Sequence, residues 1–347
     1  MIEKLYPAFK DNLWGGERLV ERYGKVTDMH PCAESWELSM HPAGVSRLAD
    51  GRLISEALGA RELGENVGAF DAFPMLIKFI DARDDLSVQV HPSDEYALKN
   101  ENSYGKTELW YVVEADEGAG IYLGFKRRVS AEEAGEAIRE ERLSELLNFY
   151  PVRAGDSFFI PSGTVHAIGA GCLIAEIQQS SDLTYRVYDY GRRDKHGNLR
   201  ELHIEKAMRV ASLDRYEMRE LPDGLLGISK YFTARRVETV GKYSILRDTG
   251  SFKCLTVVSG AGMLEGTCVS AGDSYFIAAG TGEVILTGEM TIIISEVRKY
   301  RVETSGNTAL LRDDLGKVIR EASGETAEAA RTELLRSLYM SEDDIEG

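Results

Sequence analysis

Residues 154–166 read AGDSFFIPSGTVH, and residues 271–283, which lie 117 positions further along the chain, read AGDSYFIAAGTGE. Each copy has a Gly-Asp pair, then a short aromatic and aliphatic run, then Gly-Thr. Self-similarity at a fixed spacing indicates a repeated structural unit. Short apolar runs bounded by glycine and proline are typical of β-strands joined by tight turns. The repeat therefore predicts that one β-rich unit occurs twice in this chain.

The first copy keeps polar residues that the second copy lacks. Gly-Asp, a short strand, Pro-x-Gly and a following His resemble the second motif of the cupin barrel. His166 in the first copy corresponds to Glu283 in the second, and a looser match upstream sets Glu108 against Lys253. We therefore predict an all-β protein with two cupin (jelly-roll) barrels, of which the first is functional and the second is degenerate.

Other segments have the apolar, β-branched and alternating character of strands. They are residues 73–80, 86–90, 108–113, 157–160 and 172–177. A helical pattern interrupts them after Ser130, which forms a possible capping box with Glu133. Beyond residue 301 the chain becomes polar and acidic, with a predicted helix near 325–340.

These patterns predict three regions. A catalytic cupin domain occupies residues 1–225 and carries a helical insert at about 130–149. A degenerate second cupin domain follows at residues 226–300. Residues 301–347 then form an acidic, helical C-terminal tail.

Charge and apolar content exclude several partner classes. The 347 residues contain 41 Lys and Arg against 57 Asp and Glu, a net charge of −16. This balance disfavours nucleic acid, which requires a positive surface. No segment approaches the ~20 apolar residues of a membrane span, and the N-terminus lacks a hydrophobic signal core. We expect a cytoplasmic protein that acts on a small molecule, without nucleic acid or membrane partners, as a monomer or weak homo-oligomer.

Metal-capable side chains concentrate in the first predicted barrel. Gln89 and His91 are two residues apart on a predicted strand and therefore share a face. Glu108 opens the next strong strand, and His166 follows the Gly-Asp strand. Two imidazoles and a carboxylate suit a catalytic divalent metal with an open position, to which Gln89 can add a carbonyl oxygen. His196 and His203 are instead expected on the surface or in packing.

Several distinctive motifs are dispersed along the chain: PAFKDNLWGG (7–16), ESWELS (34–39), PMLIK (74–78), LSVQVHP (86–92), GKTE (105–108), the His166 loop and SDLTYR (181–186). Together they resemble class I mannose-6-phosphate isomerases in their short bacterial form. The resemblance covers about residues 1–300, and residues 301–347 lie outside it. It implies a zinc-dependent isomerase that interconverts mannose 6-phosphate and fructose 6-phosphate.

The resemblance also implies particular roles. One Zn²⁺ per chain would be held by Gln89, His91, Glu108 and His166. The active-site arginine of the family falls on Arg186, and Lys106 and Asp182 match residues for proton handling or binding. Lys78 and Ser87 match positions near the substrate phosphate.

The chemistry of aldose–ketose isomerisation agrees with these assignments. A proton leaves the carbon beside a carbonyl, and negative charge builds on the enediolate oxygens, which a divalent cation stabilises. A positioned acid or base must carry the proton between the two carbons. Lys106 and Glu176 are both candidates for this base, and the sequence leaves the choice open.

Two alternatives remain open from the residues alone. Two histidines and one carboxylate also form the facial triad of non-haem iron oxygenases. A non-catalytic sugar-binding cupin is the alternative from another class of protein. Simple binding does not require both an acid–base group and a metal, so the joint presence of Lys106, Arg186 and the ligand set favours the isomerase.

Overall fold

The computed structural model describes residues 1–193 and 197–346, and strands dominate it. The strands are β1 (Ile2–Lys4), β2 (Ala8–Lys10), β3 (Glu34–Leu38), β4 (Met75–Ala82), β5 (Val88–Val90), β6 (Glu108–Ala115), β7 (Gly120–Phe125), β8 (Leu147–Pro151), β9 (Ser157–Ile160), β10 (His166–Ile168), β11 (Cys172–Gln179), β12 (Tyr185–Tyr188), β13 (Leu225–Ile228), β14 (Thr233–Ile245), β15 (Lys253–Leu264), β16 (Thr267–Ser270), β17 (Ser274–Ile277), β18 (Val284–Glu296), β19 (Tyr300–Ser305), β20 (Thr308–Asp313) and β21 (Val318–Ser323). The helices are α1 (Arg18–Glu21), α2 (Ile54–Ala57), α3 (Ala60–Leu63), α4 (Asp94–Asn100), α5 (Ala131–Arg139), α6 (Leu143–Leu146), α7 (Ile204–Val210) and α8 (Ala327–Ser337). Within the described residues, none of these helices has both the length and the apolar character needed to cross a bilayer.

The chain divides into two compact units. We call the first the central unit; it combines Phe9–Trp36 with Leu76–Met218. We call the second the C-terminal unit; it combines Met1–Ala8 and Glu37–Met75 with the chain from Arg219 onward.

Two sheets build the central unit. A six-stranded sheet has the order β2-β3-β4-β11-β6-β9, and a five-stranded sheet has the order β12-β5-β10-β7-β8. One buried cluster takes Trp110 and Ile174 from the six-stranded sheet and Ile121 and Leu123 from the five-stranded sheet. Side chains of both sheets thus interdigitate in one core, as in a sandwich. The strands predicted in this part of the sequence are confirmed.

The sequence repeat is also a repeat of strand register. In the central unit, β6 pairs with β9 antiparallel and sets Glu108 opposite Ile160. In the C-terminal unit, β15 pairs with β17 antiparallel and sets Lys253 opposite Ile277. The two pairings continue in step for four residues. Lys253 therefore occupies in the second copy the structural position that Glu108 occupies in the first.

The predicted helical insert consists of two short helices. Helix α5 begins after Ser130, whose Oγ accepts a hydrogen bond from the Glu133 backbone N–H at 3.0 Å. Helix α6 ends at Leu146, and the following residues form β8, which pairs with β7. Helices α5 and α6 thus form the insert predicted at about 130–149, and its last residues belong to β8, where Phe149 lies 5.1 Å, ring centre to ring centre, from the cross-strand Tyr122. Pairing with β7 outweighs the local helical pattern.

The segment after residue 300 is more than a helical tail. Strands β19, β20 and β21 form a three-stranded antiparallel sheet, and α8 follows. Leu311 of β20 lies in one buried cluster with Leu334 and Leu338. The helix predicted near 325–340 is present as α8, whereas the three strands before it, which are rich in charged residues, were not predicted from the sequence.

Candidate metal centre

Adjacent strands bring distant residues into one row. Gln89 of β5 lies directly opposite His166 of β10 on one side and opposite Arg186 of β12 on the other. Side chains of directly opposed residues in antiparallel strands lie on the same face. Gln89, His166 and Arg186 therefore share a face of the five-stranded sheet, although they are separated by up to 97 positions in the chain.

His91, Glu108 and His166 form a compact, buried group. The Nε2 atom of His91 lies 3.4 Å from Glu108 Oε2, and the Nε2 atom of His166 lies 3.2 Å from Glu108 Oε1. One ligand atom from each residue falls within 4.8 Å of the others, and at most 1% of each residue is exposed. The convergence predicted from the sequence is present in the structure.

Backbone carbonyls orient both imidazoles. His91 Nδ1 donates to the carbonyl of Leu183 at 2.9 Å, and His166 Nδ1 donates to the carbonyl of Thr164 at 2.8 Å. A carbonyl oxygen only accepts, so the proton of each neutral ring is on Nδ1. Both Nε2 lone pairs therefore face Glu108, as is usual for histidines that bind a metal.

Burial and charge hold these three groups in the protonation states that a metal requires. Burial, reinforced by the Lys106 ammonium, lowers the pKa of His91 to about 3, and burial also lowers the pKa of His166. Burial acts to raise the pKa of Glu108, but the Lys106 ammonium outweighs it and holds that pKa well below its ordinary value. The group thus presents two neutral imidazoles and one carboxylate.

The chemistry of the donor set fits a divalent ion. Within the described residues, neither carboxylate oxygen of Glu108 accepts a hydrogen bond, although both are buried. Lys106 Nζ provides the neighbouring positive charge, at 2.7 Å from Glu108 Oε2 and 3.3 Å from His91 Nε2. Two imidazole nitrogens and a carboxylate oxygen are ligands that zinc accepts, with a position left for substrate or water.

Gln89 lies at the edge of this group. Its Nε2 is 3.3 Å from His166 Nε2, and its Oε1 accepts from the Ser87 hydroxyl at 3.4 Å. The amide must turn over to direct Oε1 toward the group, and the Ser87 hydroxyl would then accept from Nε2. Gln89, predicted as a metal ligand, and Ser87, predicted near the substrate phosphate, are therefore partners in one hydrogen bond.

A chain of alternating buried charges extends from the metal-capable group. Lys106 lies 3.5 Å from Glu176, and Lys78 lies 3.1 Å from Glu176 and 3.4 Å from Glu34. Burial acts to lower the pKa of Lys78, but Glu176 and Glu34 outweigh it and raise that pKa above its ordinary value. Lys106 and Glu176, the two candidate bases, are thus neighbours.

Indole N–H groups support this chain, and sequence reasoning missed them. Trp110 Nε1 donates to Glu176 at 2.9 Å, and Trp36 Nε1 donates to Glu34 at 2.8 Å. Glu34 is buried and also accepts from Asn12 at 2.7 Å. The available signal was the spacing of Glu34 and Trp36, because residues two apart on a strand share a face.

Arg186 lies on the same face of the five-stranded sheet as Gln89 and His166, and its side chain is held by a backbone carbonyl. Its Nη1 donates to the carbonyl of Glu201 at 3.1 Å, and its buried Nε has no hydrogen-bond partner in the described residues. Asp182 is exposed in the turn before β12. His203 precedes α7, and its Nδ1 accepts from the Arg186 backbone N–H at 3.3 Å. His196 lies outside the described residues.

A buried His-Glu-His group between two packed β-sheets, flanked by lysine–carboxylate pairs, defines a metal-binding enzyme of the cupin class. Comparison with family models narrows the class. Residues 2–116 match the catalytic domain of phosphomannose isomerase type I, and residues 225–297 match the cupin domain of mannose-6-phosphate isomerase. The chain belongs to the type I mannose-6-phosphate isomerase family.

Individual relatives cover most of the chain. The mannose-6-phosphate isomerase of Streptococcus mutans is 38% identical over 300 residues, which are 82% of this chain and 94% of that protein. Mannose-6-phosphate isomerase ManA of Bacillus subtilis is 37% identical and covers 84% of this chain and 97% of its own length. A crystal structure of the Bacillus subtilis mannose 6-phosphate isomerase superposes with a TM-score of 0.76 at 33% identity, covering 85% of this chain and 99% of that one.

Proposed function

We propose that this protein interconverts mannose 6-phosphate and fructose 6-phosphate. The observation that carries the proposal is the buried His91–Glu108–His166 group with Lys106 and Glu176 beside it. It brings a metal-binding donor set and a proton-transferring pair into contact in one buried cluster. Membership of the isomerase family supports the same reaction.

We propose that Zn²⁺, one ion per chain, is held by His91, Glu108 and His166, with Gln89 as a fourth ligand after its amide turns over. When bound, a divalent ion acts as a Lewis acid that stabilises negative charge on the two oxygens of the enediolate. Zinc has no redox chemistry, which suits a reaction that only moves a proton.

The proton moves between C1 and C2 of the sugar. A base takes the C2 proton of the aldose while the C1 carbonyl oxygen gains negative charge. A proton then passes from the O2 hydroxyl to O1, and the base returns its proton to C1 as C2 becomes the carbonyl of the ketose. Lys106 and Glu176 lie 3.5 Å apart, so either can take the proton and the other can hold the complementary charge. Both remain candidates for the base.

The other residues bind the substrate in this proposal. Arg186, on the face of Gln89 and His166, directs guanidinium N–H groups toward oxyanions of the sugar. Lys78 and Ser87 contact the substrate beside the carboxylate chain and beside Gln89. Asp182, in the exposed turn before β12, assists binding or proton handling at the entrance.

A coupled assay with mannose 6-phosphate tests this function. We expect activity that disappears on chelation and returns when zinc is restored. Stoichiometric iron with substrate-dependent oxygen uptake would instead establish the iron oxygenase. Sugar binding without conversion, in protein shown to contain zinc, would establish a binding protein.

We also propose the wider organisation predicted above. The catalytic cupin would lie within residues 1–225, of which Met1–Ala8 and Glu37–Met75 group with the C-terminal unit. Residues 226–300 would form the degenerate cupin, and residues 301–347 a C-terminal addition. The match of residues 225–297 to a cupin model and the shared register of the two copies support the two-barrel proposal. A sugar phosphate as the sole partner, a monomeric or weakly associating state, and a cytoplasmic location stay predictions.

A further inference from the structure

In the described part of the chain, three guanidinium groups, those of Arg186, Arg192 and Arg200, lie around the Asp189 carboxylate. We propose that Arg186, Arg192 and Arg200, positioned by Asp189, form the subsite for the phosphate group of the substrate. This inference rests on the proposed function and deepens it, because it places the phosphate end of a hexose phosphate at a defined part of the central unit.

Asp189 holds two of the three guanidiniums in place. It is 5% exposed, and its Oδ1 accepts from Arg192 Nη2 and from Arg200 Nη1, the latter at 3.3 Å. Arg192 Nη1 also donates to the carbonyl of Asp85. Arg192 and Arg200 are thus fixed at the same carboxylate oxygen, and their orientation is set before any ligand binds.

The three guanidiniums of the cluster outnumber the two carboxylates, those of Asp189 and Glu201, whose charges act on Arg186. Burial lowers the pKa of Arg186, and the nearby charges of Arg200 and Arg192 lower it further. The Nε of Arg186 is buried without a hydrogen-bond partner in the described part of the chain. A cluster with excess charge and an unused buried donor favours a multivalent anion, and guanidinium groups match the geometry of phosphate oxygens.

Strand order places Arg186, one member of this cluster, at a suitable separation from the metal-capable group. Arg186 on β12 and His166 on β10 lie on either side of β5, opposite the same residue, Gln89. Two strand spacings amount to about 10 Å, which is comparable with the length of a six-carbon chain. A hexose phosphate has its reacting C1–C2 end and its C6 phosphate at opposite ends and can span the two positions.

Lys78 is less suited to the phosphate itself. Its ammonium lies between the carboxylates of Glu34 and Glu176, at 3.4 and 3.1 Å. A phosphate dianion bound there would face two buried negative charges at close range. In this arrangement Lys78 contacts the sugar, and the guanidinium cluster binds the phosphate.

Substitution of Arg200 tests the assignment in the zinc-loaded enzyme. We expect Arg200→Ala to raise the KM for mannose 6-phosphate and the inhibition constant of inorganic phosphate at least about tenfold, the order of one charge-assisted hydrogen bond. Because Arg200 does not touch the metal-capable group, kcat and zinc content should change little. If the alanine variant folds poorly, Arg200→Gln, which keeps a polar but uncharged side chain, is expected to raise the same two constants.

Arg193→Ala is the matched control. Arg193 neighbours Arg192 in the chain, but it is exposed and its Nη1 donates to the carbonyl of Gly197. It should leave both constants unchanged. An unaltered KM and unaltered phosphate inhibition in a folded, zinc-containing Arg200 variant would overturn the proposed subsite. We would expect that outcome if the substrate phosphate were bound near Lys78 instead. Failure of the proposed function is distinct, because the unmodified enzyme would then lack isomerase activity.

Discussion

His91 and His166 approach one carboxylate from neighbouring strands, and each places its imidazole proton on a backbone carbonyl. The geometry leaves two nitrogen lone pairs and a carboxylate facing one point in a buried environment. Removing any one ligand would leave the others unable to offset the cost of a buried cation. The metal and the activity are therefore expected to depend on the same three side chains.

We predict that His91→Ala and His166→Ala each remove bound zinc and isomerase activity together. Zinc content by elemental analysis and the coupled assay on the same preparations provide the check. Full activity in a metal-free His166→Ala protein would contradict the assignment of the metal centre.

We predict that Glu34→Gln lowers kcat/KM about tenfold while zinc content is unchanged, since Lys78 loses one of its two charge-assisted partners. Steady-state kinetics and elemental analysis measure both quantities. Glu114→Gln is the control, because Glu114 pairs with Arg22 and Tyr23 elsewhere in the central unit. Equal kinetics in the Glu34 and Glu114 variants would show that Glu34 does not position Lys78 for catalysis.

The paired strands of the two repeats show how one element lost its metal-binding capacity. Lys253 occupies on β15 the register position of Glu108 on β6. Its ammonium lies 2.8 Å from Asp248 and 3.0 Å from Glu296, and Arg298 joins both carboxylates. A fixed side-chain cation thus occupies the environment that the first copy keeps for a metal ion.

We predict that Lys253→Met lowers the free energy of unfolding by about 3 kcal/mol, because it leaves buried carboxylates short of a counterion. Denaturant unfolding gives the value. Lys299→Met is the control, because Lys299 pairs with Glu346 at a more exposed position and should cost less than about 1 kcal/mol. Equal losses in both variants would rule out a special contribution from the buried cluster.

The same cluster predicts a dependence of stability on pH. Burial acts to raise the pKa values of Asp248 and Glu296, but Lys253 and Arg298 outweigh it and lower both below their ordinary 3.8 and 4.5. Such carboxylates stabilise the fold above their ordinary pKa, and this contribution is lost as pH falls through the folded values. Below pH 4.5 the unfolding temperature should therefore fall less steeply with decreasing pH in Lys253→Met than in the unmodified protein. Identical slopes of unfolding temperature against pH would contradict this.

Glu283→His should create no second metal site. Lys253 still occupies the position that corresponds to Glu108, and an ammonium cannot ligate a metal ion. Elemental analysis should find the same single zinc per chain as in the unmodified protein. A second equivalent of zinc would show that the second copy retains a latent site.

In the whole protein, metal binding and folding are linked. A ligand that binds only the folded state stabilises it by about 2.7 kcal/mol at a hundredfold excess over its Kd. The ligands come from β6, β10 and the residue after β5, so the site exists only when these strands are assembled. We predict that the chelated protein is irreversibly inactivated at a lower temperature than the zinc-loaded protein, as measured by the activity that returns when zinc is added after heating. An unchanged temperature would mean that the zinc contributes nothing to the folded state.

The sequence alone was enough to predict the β-rich repeat, the strands of the central unit and the residues His91, Glu108 and His166. These features depend on local alternation of apolar residues and on donor types that few other functions require. Glu34, the Asp189 arginine cluster and the sheet of β19 to β21 became evident only from the fold. Their partners are far apart in the chain, and strand pairing, which brings them together, depends on burial across the whole unit rather than on any local pattern.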